Sequence, residues 1–161
     1  MEDEQATAHL LAVMPKLWKP YQGDYPFKKV GDWGCGFSRL RKRYDGGTGD
    51  LDAYLVAKAE KVFFELLASS DEPVLLHGDL HHDNVLSTEQ RSYLAIDSKG
   101  ILGEPCYETG AFLRNPLPAL LEKENPHKLM RRRVDMIVEH LVFDRQRVIG
   151  WGFSQAVLSA I

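Results

Sequence analysis

The sequence has few cysteines, and those it has do not form a recognisable motif. Only Cys35 and Cys106 occur among the 161 residues, and no Cys-x-x-Cys pair is present. Isolated cysteines of this kind are typical of buried free thiols in a reducing compartment, not of a disulfide framework or a zinc motif. We therefore expect a cytoplasmic protein.

The chain also lacks a long apolar run and an excess of positive charge. No apolar stretch approaches the length that spans a bilayer, and the acidic start MEDEQATAHL differs from the positive start of a signal peptide. The formal net charge of -3 provides no basic field for nucleic acid. The basic cluster Arg131–Arg133 lies in a helical pattern, which indicates a solvated helix face. We expect neither a membrane nor a nucleic acid as a partner.

The chain has enough apolar residues for one globular domain over residues 1–161, and their spacing is mostly helical. A helix is predicted around 37–44, ended by the glycine-rich stretch GGTG, and Asp50 is the predicted N-cap of the helix that follows. The remaining predicted helices cover residues 2–18, 51–69, 106–115, 117–124, 128–143 and 145–161.

The middle of the chain has a different pattern. Short apolar runs predict strands over 74–76, 84–87 and 93–97, and the polar connection TEQRS between the last two favours a β-hairpin. The predicted fold class is therefore α+β, mostly helical, with a small central β-hairpin.

The stretch VLLHGDLHHDNVL, residues 74–86, concentrates polar side chains beside this hairpin. In the simplest register Asn84 lies opposite about Asp97, where paired strands have Cα atoms roughly 4.5 to 5.5 Å apart. An amide oxygen and a carboxylate can then share one cation, and such oxygen ligands favour Mg²⁺. Asp79, in the loop before Asn84, could accept a hydrogen bond from a substrate hydroxyl. A base, a metal and a phosphate in one small space are what phosphoryl transfer requires.

Two motifs resemble a known family. HGDLHHDN resembles the catalytic loop H-x-D-x-x-x-x-N of the protein-kinase-like fold, and its HGD variant is similar to that of aminoglycoside phosphotransferases. AIDSKGILGEPCYETGAFLRNP, residues 95–116, resembles the aminoglycoside/hydroxyurea antibiotic resistance kinase family, which includes streptomycin 6-phosphotransferases. The segments GDWGCGFSRL and RVIGWGFSQAVLSAI are similar to the same family.

The resemblance implies a role for each residue of the central motifs. It makes Asp79 the catalytic base, Asn84 and Asp97 the ligands of Mg²⁺ and thereby of ATP, and His77 a structural residue that supports the loop. The metal-binding loop reads DSKG, one residue longer than the kinase DFG, so Gly100 matches it only loosely. The implied cofactors are ATP and Mg²⁺, and the implied substrate is an aminoglycoside such as streptomycin, or hydroxyurea.

Other polar residues near the motifs have weaker assignments. His81, His82, Asp83 and Glu104 are candidates for the acceptor side of the site. Lys99 is interpreted as a solvated turn residue. Arg114 and Asn115, in the family-like segment LRNP, are interpreted as structural residues that could brace the active-site loop. A zinc hydrolase site at His81 and His82 is an alternative, disfavoured because the remaining histidines have no partner motif.

The resemblance covers the C-terminal lobe of such a kinase, and we expect the N-terminal lobe that clamps ATP to be absent. We find no glycine-rich loop between strands and no strand lysine paired with a helix glutamate. We therefore expect little kinase activity from this chain alone, and self-association through the apolar face that the absent lobe would cover. The alternative hypothesis is a non-catalytic remnant that binds a small ligand or a partner protein.

Overall fold

The computed structural model describes residues 2–89 and 93–161, in which six helices account for most of the chain. This agrees with the predicted α+β, mostly helical class. None of the described helices has the length and apolar character needed to cross a membrane. The helices are α1 (Asp3–Leu17), α2 (Val30–Arg43), α3 (Ala53–Ala68), α4 (Thr109–Arg114), α5 (Pro126–Leu141) and α6 (Arg145–Ser159).

Side-chain caps fix the start of three long helices. At α3 the Asp52 carboxylate accepts a hydrogen bond from the backbone N–H of Leu55 at 2.8 Å, so the cap is Asp52 and the predicted cap, Asp50, was wrong. Asn125 and Asp144 cap α5 and α6 in the same way. Each oxygen satisfies an N–H that has no partner within the first helical turn.

One predicted helix start and one whole predicted helix were wrong. Helix α2 begins at Val30, well before the predicted position, because the Asp32 side chain caps it and its glycines are used for close packing against Phe63 and Leu158. Residues 117–124, predicted as a helix, form turns instead. Pro116 and Pro118 lack the N–H that a helix requires and restrict the residues before them.

The described strands are β1 (Lys19–Pro20), β2 (Lys28–Lys29), β3 (Val74–Leu76), β4 (Val85–Ser87), β5 (Tyr93–Ala95) and β6 (Ile101–Gly103). They form two small sheets, whereas the sequence predicted only β3 and the β4–β5 hairpin. The four-stranded sheet has the order β1-β3-β6-β2, with β3 antiparallel to both neighbours and β2 parallel to β6. The predicted hairpin is present as β4 paired with β5, although part of its predicted connection, residues 90–92, lies outside the described residues.

The core lies between the helices, centred on aromatic side chains of α2, α3 and α6. Phe63 is fully buried and makes edge-on ring contacts with Phe37 and Trp151, with centroids 5.9 and 5.3 Å apart. This packing fixes α6 against α3. Strand β3 then leads out of the core into the loop that carries Asp79.

Two side-chain environments differ from expectation. Arg133 is buried at 1% exposure and does not lie on a solvated face, because the Asp3 carboxylate and the carbonyl oxygens of Phe112 and Asn115 satisfy its guanidinium. Cys106 is a buried free thiol, as predicted, but the thiol of Cys35 is exposed. Burial raises the pKa of Cys106 to about 12.

Candidate active site

The segment from His77 to Asn84 connects β3 to β4, and the side chain of Glu108 holds its first two residues by hydrogen bonds. Both oxygens of this buried carboxylate accept backbone hydrogen bonds, from His77 at 2.7 Å and from Gly78 at 2.9 Å. Gly78 has a positive φ of 85°, which turns the chain sharply between His77 and Asp79. A turn held by a buried carboxylate presents the next side chain, that of Asp79, in a defined direction.

His77 joins this loop to the segment that follows β5. Its Nε2 lies 2.7 Å from the carbonyl oxygen of Ile96, and its Nδ1 accepts a hydrogen bond from the Asp79 backbone N–H at 3.3 Å. These two contacts require the neutral ring with the proton on Nε2. Burial lowers the pKa of His77, against the opposing effects of the Ile96 carbonyl and of Asp79, which favours that neutral form. The His77 ring thus connects the loop that carries Asp79 to the segment that carries Asp97.

The half-buried carboxylate of Asp79 lies at the wall of a cavity of about 150 Å³. Its Oδ1 accepts a hydrogen bond from Nη2 of Arg114 at 3.1 Å, and its Oδ2 lies 3.8 Å from Nε2 of His81. Trp33, Tyr107 and Arg114 line the same cavity. A hydroxyl group in this cavity could reach the Asp79 carboxylate.

Asn84 lies opposite Ile96, the residue before Asp97, at the end of the hairpin. The register places Val85 opposite Ala95, and the Ile96 N–H donates to the Asn84 carbonyl at 3.0 Å. The residue opposite Asn84 is therefore Ile96, one position before the predicted partner, Asp97. The buried Asn84 side chain donates from Nδ2 to the Asp79 carbonyl at 2.8 Å. The nitrogen is thus engaged, and the amide oxygen is the atom that would bind a cation.

The Asp97 carboxylate is exposed and has a cationic partner. Lys99 Nζ donates to its Oδ2 at 2.7 Å. The hydrogen bond from Lys99 lowers the pKa of Asp97, and the same contact raises the pKa of Lys99. Lys99 is exposed, as expected of the solvated lysine predicted from the sequence, and it also forms an ion pair with Asp97.

The donor set fits Mg²⁺ better than zinc. Asn84 and Asp97 supply an amide and a carboxylate oxygen, and Mg²⁺ commonly takes one or two such ligands and completes its shell with water and phosphate oxygens. Within residues 2–89 and 93–161, no group of three or more His, Cys, Asp or Glu side chains is arranged to hold a metal ion. Zinc sites are built from Cys, His, Asp and Glu side chains, so the amide of Asn84 would not be expected among zinc ligands.

The four candidates for the acceptor side fall into two groups. The first group is His81, which lies close to Asp79, and its neighbour Asp83. The ring of His81 lies between Asp79 and Asp83, and its Nδ1 accepts from the Asp83 N–H at 3.4 Å. The Asp83 carboxylate itself extends into solvent. Both could contact a bound acceptor.

His82 and Glu104 point elsewhere. His82 packs on Phe112 with its Nε2 3.2 Å from Arg133, and burial together with this guanidinium lowers its pKa to about 4. Both oxygens of buried Glu104 bind Arg147, and Trp151 also donates to one of them. Glu104 lines a cavity beside Trp151 that does not include Asp79. These placements do not favour an acceptor role for either residue.

Two residues outside the central motifs contact the loop, and the sequence pointed to only one of them, Arg114. Glu108 supports the loop and Arg114 binds Asp79, although both lie more than 25 residues after it along the chain. For Arg114, the position inside the family-like segment LRNP indicated a structural residue that braces the active-site loop, but not its contact with Asp79. Glu108 carries no local signal, since an acidic residue at the start of a helix is commonplace.

A family model described as aminoglycoside/hydroxyurea antibiotic resistance kinase matches residues 1–161. The chain belongs to this family. The loop with Asp79, Asn84 and Asp97 is thus found in a chain whose relatives are kinases.

The curated relatives of this chain include kinases that are named for small-molecule substrates. The streptomycin 3''-kinase of Klebsiella pneumoniae is 29% identical over 164 residues, which cover 99% of this chain and 58% of the relative. The streptomycin 6-kinase of Streptomyces glaucescens is 32% identical over 87 residues, 54% of this chain and 28% of the relative. The hydroxyurea phosphotransferase of Kitasatospora aureofaciens is 33% identical over 87 residues, 54% of this chain and 23% of the relative. The chain thus spans little more than half of the streptomycin 3''-kinase.

A solved structure supports the fold of this kinase-family chain. An aminoglycoside phosphotransferase from Streptomyces rimosus, solved with ADP and streptomycin, superposes with a TM-score of 0.69 at 13% identity. The match covers 97% of this chain and 63% of that structure. The fold is therefore that of the aminoglycoside phosphotransferases, as the sequence predicted.

Proposed function

We propose that the chain forms the C-terminal lobe of a kinase that transfers the γ-phosphate of ATP to a hydroxyl of an aminoglycoside similar to streptomycin, or to hydroxyurea. One observation carries the proposal: a single loop and hairpin unit holds Asp79 at a cavity wall and brings Asn84 next to the Asp97 segment. The streptomycin and hydroxyurea kinases among the relatives support the substrate class.

Asp79 would act on the acceptor. Its carboxylate would accept a hydrogen bond from the acceptor hydroxyl, orient the oxygen toward the phosphate and take its proton as the new P–O bond forms. Asn84 and Asp97 would hold Mg²⁺, which when bound neutralises negative charge on the phosphates. His77 and Glu108 would keep the loop in place, because positioning supplies much of the rate in phosphoryl transfer.

The exposed face of the hairpin would lie against the nucleotide base. Leu86 and Leu94 are opposite each other in the β4–β5 register and are 48% and 57% exposed. Ile96 follows on the same face, next to Asp97, because alternate strand residues share a face. An apolar patch beside a metal-ligand position suits an adenine ring whose phosphates reach the metal.

We further propose that the chain needs a second part for turnover. It covers 58% of the streptomycin 3''-kinase and 63% of the Streptomyces rimosus structure, so a part of each relative has no counterpart here. Losing one group that stabilises the transition state can lower a rate by about 10² to 10³, and an ATP clamp supplies several. For the isolated chain we expect negligible activity, and self-association through Leu86, Leu94 and Ile96.

The test is phosphate transfer from labelled ATP to streptomycin, other aminoglycosides and hydroxyurea, measured on this chain and on any longer natural form. We expect Mg²⁺-dependent transfer in a longer form, and its loss in Asp79→Asn. Asp50→Asn, an exposed carboxylate in the loop before α3, serves as the matched control. Unchanged transfer in Asp79→Asn would remove Asp79 as the base. Mg²⁺-dependent ATP binding without transfer to any acceptor would favour a non-catalytic binding protein.

A further inference from the structure

Among the described residues, Arg114 is the arginine that forms an ion pair with Asp79. Its Nη2 lies 3.1 Å from Asp79 Oδ1, and the two side chains are 21% and 25% exposed. At such partial burial a guanidinium–carboxylate hydrogen bond is better protected from solvent than a surface pair. Only Oδ1 takes part in this bond, whereas Oδ2 lies 3.8 Å from Nε2 of His81, beyond hydrogen-bond distance, and can still accept a hydrogen bond.

The position of Arg114 is itself fixed by buried groups. Arg114 ends the six-residue helix α4, which is too short to be stable alone. The guanidinium of Arg133 donates to the carbonyls of Phe112 at 3.2 Å and Asn115 at 2.6 Å, on either side of Arg114. The end of the helix is therefore held by a side chain that Asp3 neutralises from α1.

The Asp79–Arg114 ion pair lies at the wall of the cavity described above. Asp79 and Arg114 line the same cavity of about 150 Å³, together with Trp33, Tyr107 and Gln155. The Asp79 backbone is fixed separately, because its N–H donates to His77 Nδ1 and its carbonyl accepts from Asn84 Nδ2. With the backbone fixed, the rotation of the carboxylate is what the contact with Arg114 can set.

We propose that Arg114 is a positioning residue that holds Oδ1 of Asp79 and thereby turns Oδ2 toward the acceptor hydroxyl. The proposal rests on the proposed role of Asp79 as the base. It assigns Arg114 no contact with the reacting atoms. A positioning residue of this kind acts on kcat, because it orders the base after both substrates have bound, whereas the KM for ATP depends on other groups.

The kinetic test uses Arg114→Gln, Arg114→Lys and Arg114→Ala in the longest natural form that transfers phosphate. We expect kcat to fall about 10²-fold in Arg114→Gln with the KM for ATP unchanged. Lysine should restore part of the loss, and so should guanidinium ions added to Arg114→Ala at concentrations well below those that unfold the protein. Guanidinium ions should not restore Asp79→Asn.

The matched control is Arg41→Gln, since Arg41 forms a similar half-buried pair with Glu60 at 2.5 Å, away from the cavity. We expect this variant to keep the kcat of the wild type. An Arg114→Gln variant with the kcat of Arg41→Gln would overturn the proposal. So would a loss that neither lysine nor guanidinium ions reduce, because that pattern indicates structural damage.

A second measurement tests, without any enzyme assay, whether Arg114 fixes the side chain of Asp79. Three-bond couplings to the Asp79 carboxyl carbon, measured by NMR on the 161-residue chain, report whether its side chain adopts one rotamer. We expect one rotamer in the wild type and an averaged value in Arg114→Gln. Averaging already in the wild type would overturn the proposal even if the kinase function holds. A fixed rotamer that Arg114→Gln releases would support it even if no acceptor is phosphorylated.

Discussion

The carboxylate of Glu108 accepts a hydrogen bond from the backbone N–H of His77 at 2.7 Å, across 31 residues of sequence. Its second oxygen binds the N–H of Gly78, and the side chain is only 1% exposed. The first turn of the loop that carries Asp79 is therefore fixed by a buried side chain from the helical half of the chain. Burial raises the pKa of Glu108 to about 7, against the opposing effect of the N–H groups that it accepts from.

Replacing Glu108 by alanine should lower the free energy of unfolding strongly. The substitution leaves the N–H groups of His77 and Gly78 without their acceptor, and each buried orphan group costs about 1–3 kcal/mol. We expect a total loss of about 3 kcal/mol or more, measured by urea unfolding. The exposed Glu122→Ala is the control and should stay within about 0.5 kcal/mol of the wild type.

The raised pKa of Glu108 also predicts a pH dependence of stability. Its ordinary value is 4.5 and its folded value about 7, so the folded state holds this proton more tightly than the unfolded state. The resulting stabilisation is complete below the ordinary value and is lost as pH rises through the folded value. Glu108→Gln cannot titrate, so the difference in unfolding free energy between wild type and variant should shift between pH 4.5 and 7. A constant difference over this range would contradict the raised pKa.

A second buried carboxylate predicts a contrast between two arginines. Arg147 donates from Nε to both oxygens of Glu104, at 2.9 and 2.8 Å, and Glu104 is 4% exposed. Breaking a buried pair costs about 3–5 kcal/mol, since one charge is left without a partner. We expect Arg147→Met to lose about 3 kcal/mol, near the low end because Arg147 is partly exposed. Part of the loss should return in the double variant with Glu104→Gln, whose side chain is neutral.

The control for this contrast is Arg145, two positions earlier in α6. It pairs with Asp135, and both side chains are about half exposed. Exposed pairs contribute about 0–1 kcal/mol, so Arg145→Met should change the unfolding free energy by no more than that. Equal losses in the two arginine variants would mean that the burial of Glu104 does not determine the cost.

The parts of the fold that sequence predicts are those with a local signal. Strand β3 was placed at its observed residues, 74–76, because an apolar run stands between a proline and a polar loop. Strands β1, β2 and β6 were missed. Each of β1 and β2 has only two exposed residues and exists through pairing with distant strands. Two residues cannot show the alternation that marks a strand.

The same distinction applies to the site. Asp79, Asn84 and Asp97 stand close in sequence, so their spacing carried the prediction and the register differed by one residue. Glu108 and Arg114 act on the loop through the tertiary fold. The burial of Arg133 was hidden for the same reason, because its partner Asp3 is 130 residues away.

Gly78 connects the backbone geometry of the loop to its packing. With its φ of 85°, it adopts a conformation that side-chain-bearing residues rarely take, and a Cβ there would lie 2.6 Å from Cδ1 of Ile101. Ile101 lies in the core and cannot move freely. Gly46 provides a natural comparison, since its φ is 90° and nothing lies within 4 Å of an added Cβ.

Gly78→Ala should therefore cost more stability than Gly46→Ala. The unfavourable backbone conformation costs about 1–2 kcal/mol in both variants. Only Gly78→Ala adds a clash with the core, and overpacking costs about 1–3 kcal/mol more. Urea unfolding of the two variants separates these contributions, because the difference between them reports the clash alone. Equal losses would show that Ile101 yields without cost, and the sharp turn before Asp79 would then depend on backbone conformation and Glu108 rather than on contact with the core.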